Sequence, residues 1–170
     1  PAPPVGTRGE TETSAIAVGA HQKHVRDGAI RKAFACTECH VSPAVALHAN
    51  GVVDLDWGTL AANGTTPLWT RASATCSSTY CHGATLPIGG GIAEAPIWTA
   101  VSAGPTACNS CHGFAPPLPH PQQSACQTCH SSMLPSGVLT DGHNNGTLDI
   151  SGAGCATCHG PVDKMPLMYQ

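Results

Sequence analysis

The stretch Cys36-Thr37-Glu38-Cys39-His40 decides how this chain folds. Two thiols three positions apart, with histidine directly after the second, suit covalent attachment of a c-type haem. Each thiol forms a thioether to a haem vinyl group, and His40 takes the proximal axial position on the iron. The pattern returns at Cys108/Cys111/His112, Cys126/Cys129/His130 and Cys155/Cys158/His159. A further site, Cys76/Cys81/His82, has four residues between its cysteines. Together the five sites use all 10 cysteines of the chain.

Paired cysteines also occur in zinc sites, disulfide frameworks and redox dithiols. None of these requires histidine immediately after the second cysteine. Zinc sites usually set a spacer before the histidine. With only 10 His in 170 residues, five histidines in that one position are not background. The irregular site is weak by itself, but four regular copies surround it and no other cysteine is left to pair.

Five haems in 170 residues leave too little chain for an ordinary core, so the macrocycles are expected to form the apolar interior. Aromatic residues are 4% and charged residues 10%, while Gly (19) and Pro (15) are abundant. That composition alone would read as loop-rich or disordered. With the haem sites it predicts mostly irregular coil with short α-helices wrapped around five covalently attached haems, and little or no β-sheet. Folding should depend on attachment, as in small metal-stapled domains. The formal charge is −3, and haem propionates make the loaded protein more acidic. The seven Lys and Arg residues read mainly as solvated surface, and no basic patch for nucleic acid is present. No apolar run approaches the ~20 residues of a membrane span. Attachment at Cys-x-x-Cys-His normally occurs outside the cytoplasmic membrane. Pro1-Ala2-Pro3-Pro4 is not a charged leader, so an exported chain with its signal peptide removed is expected.

Along the chain, residues 1–14 read as an N-terminal arm, 15–160 as a single pentahaem domain and 161–170 as a tail. Ala15 to Ala35 holds helix formers without proline, predicting a helix that runs toward the first haem site. His21 and His24, three apart, share a face of it. Gly89-Gly90-Gly91 breaks the chain before Trp98 and the third site. Pro116-Pro117-Leu118-Pro119-His120-Pro121 reads as a stiff extended spacer that aims His120. An internal repeat matches His48-Ala49-Asn50-Gly51-Val52-Val53-Asp54-Leu55 to His143-Asn144-Asn145-Gly146-Thr147-Leu148-Asp149-Ile150. Two-haem units over 24–82 and 120–159 therefore flank the haem at 108–112. In each repeat the Asn-Gly pair is a tight turn, expected to present the preceding histidine to an iron.

Five histidines lie outside the attachment motifs: His21, His24, His48, His120 and His143. Five spare histidines for five open axial positions predict bis-histidine, six-coordinate iron throughout. Met133, Met165 and Met168 are the rival ligands, though Met more often packs. Full ligation leaves no iron open to substrate and points to electron transfer rather than enzymatic reduction. Bis-histidine ligation also gives lower potentials than His/Met ligation.

The mixture of Cys-x-x-Cys-His with one Cys-x-x-x-x-Cys-His resembles the multihaem c-type cytochromes exported by metal-reducing bacteria. Tyr80-Cys81-His82-Gly83, Cys111-His112-Gly113 followed by Pro116-Pro117, and the early pair His21/His24 add to the likeness, which spans roughly residues 20–160. Some members polymerise into extracellular cytochrome nanowires with haems stacked through the subunits, and a junction haem there can take a histidine from the next chain. The resemblance implies an extracellular or cell-surface homopolymer that passes electrons to other redox proteins and extracellular acceptors. The His21/His24 pair would then serve two haems, one across a junction. The low surface charge favours association, and arm and tail are candidate docking segments. The alternatives are a soluble periplasmic shuttle with the same ligation, or a multihaem reductase with one open iron.

Overall fold

Among the described residues short hydrogen-bonded turns, not long helices, organise the chain, as its glycine and proline content favours. A computed structural model describes residues 5–6, 8–28, 31–40, 53–86, 91, 93–103, 109–115, 117–118, 120, 122, 129–130 and 144–147. Among the described residues the regular elements are one helix, α1 (His21–His24), two strands, β1 (Leu68–Thr70) and β2 (Thr75–Ser77), and 3-10 turns at Cys36–Glu38, Tyr80–His82 and Val101–Ala103. The expectation of mostly coil with little sheet holds at this level.

The predicted long helix over 15–35 is one helical turn. On its N-terminal side the chain makes separate turns, with Val18 and Gly19 N–H donating to Ala15 O at 3.0 and 2.8 Å. Gly19 then takes φ +41, outside the helical range. On the other side Gly28 pairs antiparallel with Arg31, and Phe34 N–H reaches back to His24 O at 2.8 Å. Residues 31–34 therefore return against α1 instead of extending it. Arg31 secures the return, donating to the carbonyls of His24, Arg26 and Lys32 and lying over the Phe34 ring at 5.2 Å.

Gly6 and Glu10, within the N-terminal arm, are joined by a hydrogen bond from Gly6 N–H to Glu10 O at 2.7 Å. The proline-rich spacer turns, since His120 N–H donates to Pro117 O at 3.2 Å. In the second repeat copy Asn144 and Gly146 have positive φ, and Thr147 N–H donates to Asn145 Oδ1 at 2.8 Å, a turn capped by its own side chain.

β1 and β2 pair antiparallel with Leu68 opposite Ser77, Trp69 opposite Cys76 and Thr70 opposite Thr75. Residues 96–98 run along the other edge of β2. Cys76 N–H donates to Pro96 O, and Trp98 N–H to Ala74 O at 2.7 Å. This small sheet carries Cys76 and Trp98 on adjacent segments. The chain also returns to the first motif: His40 bridges Leu55, and Asp56 and Gly58 N–H donate to Cys39 O and Glu38 O.

The buried hydrophobic residues described are Val18, Ala61 and Ala74, with Pro67 buried as well, and no large side chain among the described residues is fully buried. Phe114 (57% exposed), Leu68 (57%) and Leu118 (79%) face outward. The described polypeptide thus builds no conventional core for itself.

Candidate haem-ligand centre

The first motif is wound into a tight turn. Cys39 and His40 N–H both donate to Cys36 O at 3.3 Å, bringing the second cysteine and the histidine back over the first. The carboxylate of Glu38, between the two cysteines, accepts N–H bonds from Leu60 (3.2 Å) and Ala61 (3.1 Å). That contact ties the motif to the linker leading into the second site.

The longer spacing of the second motif has a local cause. Cys76 lies in β2, Ser78 turns the chain at φ +53, and Cys81 lies in the following 3-10 turn, Tyr80–His82. A strand followed by a turn needs more residues between the thiols than a turn alone. Gly83 ends this turn at φ +87, and a Cβ there would collide with Cys111 O of the third motif. Cys111 Sγ in turn lies 3.5 Å from Cys81 O. The second and third motifs therefore touch through backbone.

Burial pushes the thiols of Cys39 and Cys76 up to about 11 and that of Cys81 to about 12, with the neighbouring thiols adding to the effect. Cys111 is raised by burial as well. A redox dithiol requires the opposite shift. The six described cysteines, Cys36, Cys39, Cys76, Cys81, Cys111 and Cys129, form no disulfide with one another. Among the described residues no three His, Cys, Asp or Glu side chains converge as a metal-ion cage would require.

Histidines pair instead. His21 faces His40 with ring centroids 6.4 Å apart and planes at 78°. His24 faces His82 at 6.2 Å and 72°. His120 faces His130 at 6.0 Å with planes within 9° of parallel. In each pair one ring follows a cysteine motif and the other is a spare histidine. Metal–imidazole bonds of about 2 Å on both sides of one iron would place ring centres roughly 6 Å apart. The three separations fit that requirement.

The nitrogens fit it too. His21 Nδ1 bonds Val18 O at 2.8 Å, and His24 Nδ1 bonds Ala20 O at 2.9 Å. A carbonyl at Nδ1 fixes the tautomer with its lone pair at Nε2, the form a metal takes. His112 Nδ1 has the same kind of partner in Gly113 O at 2.9 Å. Burial lowers the pKa of His21 and His24. Burial first, then the charges of His24 and Arg31, brings His82 down to about 4. These three imidazoles are neutral at pH 7, as ligation requires. His82 Nδ1 is buried without a hydrogen-bond partner, a cost that a polar partner brought by a ligand would remove.

Both members of the His21/His24 pair have a partner ring within the chain, His40 and His82. Cys108, Cys126, Cys155, Cys158, His48, His143 and His159, together with Met133, Met165 and Met168, lie outside the described residues. Sequence reasoning gave no role to Trp98. Its ring meets both His21 (4.7 Å) and His24 (5.5 Å). The available signal was its rarity, as one of three tryptophans in a chain poor in aromatics.

Residues 75–112 match the family described as the Geobacter CxxxxCH...CXXCH motif, covering the second and third sites. No curated protein and no solved structure matches the chain. The match supports covalently bound c-type haem and a multihaem cytochrome-like role in electron transfer.

Proposed function

We propose that the protein is a pentahaem c-type cytochrome that conducts electrons through closely packed bis-histidine haems toward extracellular acceptors. The observation that carries this reading is the set of three histidine pairs at 6.0–6.4 Å, each joining a motif histidine to a spare one. Bound haem supplies a one-electron Fe(III)/Fe(II) couple. The chain's cysteines anchor it: Cys36/Cys39, Cys76/Cys81, Cys108/Cys111, Cys126/Cys129 and Cys155/Cys158. His40, His82, His112, His130 and His159 are the proximal ligands. His21, His24 and His120 are the distal ligands opposite His40, His82 and His130, and His48 and His143 complete the set.

Two imidazoles held by this chain at every iron would exclude substrate from the metal and keep the potentials low. The contact of the second motif with the third, and the tie of the first through Glu38 to the linker that leads into the second, support closely spaced sites. The sparse core among the described residues suits a chain wrapped on macrocycles. Assembly into an extracellular filament, with transfer continuing between copies, is the finer part of the proposal. Its support is the low charge (10%) and the outward-facing apolar residues such as Leu118.

Intact-mass measurement of the denatured protein tests the count, with five haem additions expected. Carbon monoxide added to the dithionite-reduced protein should leave the spectrum unchanged. Fewer than five additions sinks the pentahaem reading, and rapid CO binding at one haem favours a reductase. Electron micrographs of the native material should show fibres; particles that stay monomeric at every concentration would reduce the protein to a soluble shuttle.

A further inference from the structure

Trp98 stands between two of the histidine pairs. Its indole meets His21 edge-on, with centroids 4.7 Å apart and planes at 88°. The same indole lies nearly parallel to the His24 ring, at 5.5 Å and 29°. These two histidines face different partners, His40 and His82.

The indole is held from several sides. Its Nε1–H donates to Ile16 O at 2.8 Å, and its backbone N–H donates to Ala74 O at 2.7 Å. It therefore fastens the turn before α1 to the sheet that carries Cys76. Gly19, at φ +41, lies directly against the indole, and a Cβ there would collide with it. Trp69 contacts the indole edge-on at 6.5 Å.

Each histidine is thus fixed at Nδ1 by a backbone carbonyl, Val18 O or Ala20 O, and along its ring by Trp98. The carbonyl bond alone leaves the imidazole plane free to tilt about that contact. An aromatic wall removes the tilt, and here one wall serves both rings.

We infer that Trp98 is a positioning residue that sets the plane of two distal imidazoles at once, His21 and His24, and so couples the ligand fields of two neighbouring haems. This rests on the bis-histidine reading above. A low-spin ferric centre reports the angle between its two imidazole planes in its EPR g-values, so the effect has a readout separate from electron-transfer activity.

The test compares EPR spectra of the holoprotein with those of Trp98→Ala, Trp98→Phe and Trp69→Ala, each checked for full haem loading by intact mass. Trp98→Ala should shift the signals of two haems per chain and leave the others in place. Trp98→Phe keeps an aromatic face but loses the Nε1–H bond, and should shift the same two signals less. Trp69→Ala, which removes a ring that touches the indole but has no described contact to either histidine, should shift the two signals less than Trp98→Ala does. If Trp98→Ala loads poorly, Trp98→Phe carries the test alone. Unchanged signals in every fully loaded Trp98 variant, or equal shifts from Trp69→Ala, overturn the proposal. A native spectrum without bis-histidine low-spin signals overturns the ligation reading and this proposal with it, and that failure is visible before any variant is made.

Discussion

His24 and His82 hold their ring centroids 6.2 Å apart with planes crossed at 72°, one from α1 and the other from the turn after β2. Both are buried enough to stay neutral at pH 7, and His82 is lowered to about 4. In the proposed bis-histidine reading, a pair at this separation would put two imidazole donors on opposite sides of one iron. His24→Ala should therefore leave one haem five-coordinate, and CO should bind rapidly to one haem per chain in the reduced variant while the native protein stays inert. His24→Met should instead raise one component potential within the ~0.8 V span that axial ligands command. Lys23→Ala, one position away and exposed, should do neither. CO difference spectra and potentiometric titration read the outcomes. A CO-inert His24→Ala would remove His24 from the ligand set.

Glu38 contributes through its carboxylate, which accepts the N–H groups of Leu60 and Ala61 at 3.2 and 3.1 Å. Charge-assisted bonds of this kind are stronger than neutral ones. Glu38→Ala strands two part-buried N–H donors and should cost about 1–3 kcal/mol. Glu38→Gln keeps one acceptor oxygen and should cost less. Denaturant unfolding of the loaded protein gives both values, and equal stability of Glu38→Ala and native protein would dismiss the tie.

The attachment motifs were legible in sequence because covalent chemistry fixes them locally: both thiols and the histidine must lie within a few residues of one another. That the spare histidines match the motifs in number was legible as a count. Which spare faces which motif was not, since His21 and His40, or His24 and His82, meet through folding of the whole intervening chain. The long helix expected over 15–35 failed because propensity is a weak prior, and the Gly28–Arg31 reversal and the Trp98 contact at Gly19 override it. The extra two residues of the second motif became intelligible only once Cys76 was seen in a strand and Cys81 in the next turn. Trp98 acts across a separation that no local pattern encodes.

Asp27 supplies a pH-dependent contact. Its carboxylate accepts Ala33 N–H at 2.9 Å and pairs with Lys32 at 3.1 Å. The Ala33 bond first, then Lys32, holds its pKa below the ordinary 3.8. A depressed carboxylate stabilises the fold above the unfolded pKa, and that contribution is lost as pH falls through the folded value. The protection factor of the Ala33 amide should therefore be highest at neutral pH and fall specifically below about pH 4. Asp27→Asn should lose this acid step and show weaker protection at pH 7. Because the pair is exposed, global stability should barely change. An Ala33 protection that ignores both acid and the substitution would show that the contact does not persist in solution.

Gly83 and Gly9 separate two reasons for glycine. Their φ values are nearly the same, +87 and +86, so alanine meets the same left-handed strain at either position, about 1–2 kcal/mol. Their surroundings differ. A Cβ at Gly9 meets nothing within 4 Å, whereas a Cβ at Gly83 runs into Cys111 O, a backbone atom that cannot rotate away. Gly83→Ala should therefore destabilise clearly more than Gly9→Ala, by up to about 3 kcal/mol in total if the backbone yields only partly. The excess has to be relieved by parting the second motif from the third. Transfer between those two haems should slow in Gly83→Ala and stay unchanged in Gly9→Ala, as measured by flash-induced reduction and re-equilibration among the haems. Equal unfolding free energies and equal transfer rates in the two variants would mean that the motifs do not pack through this glycine.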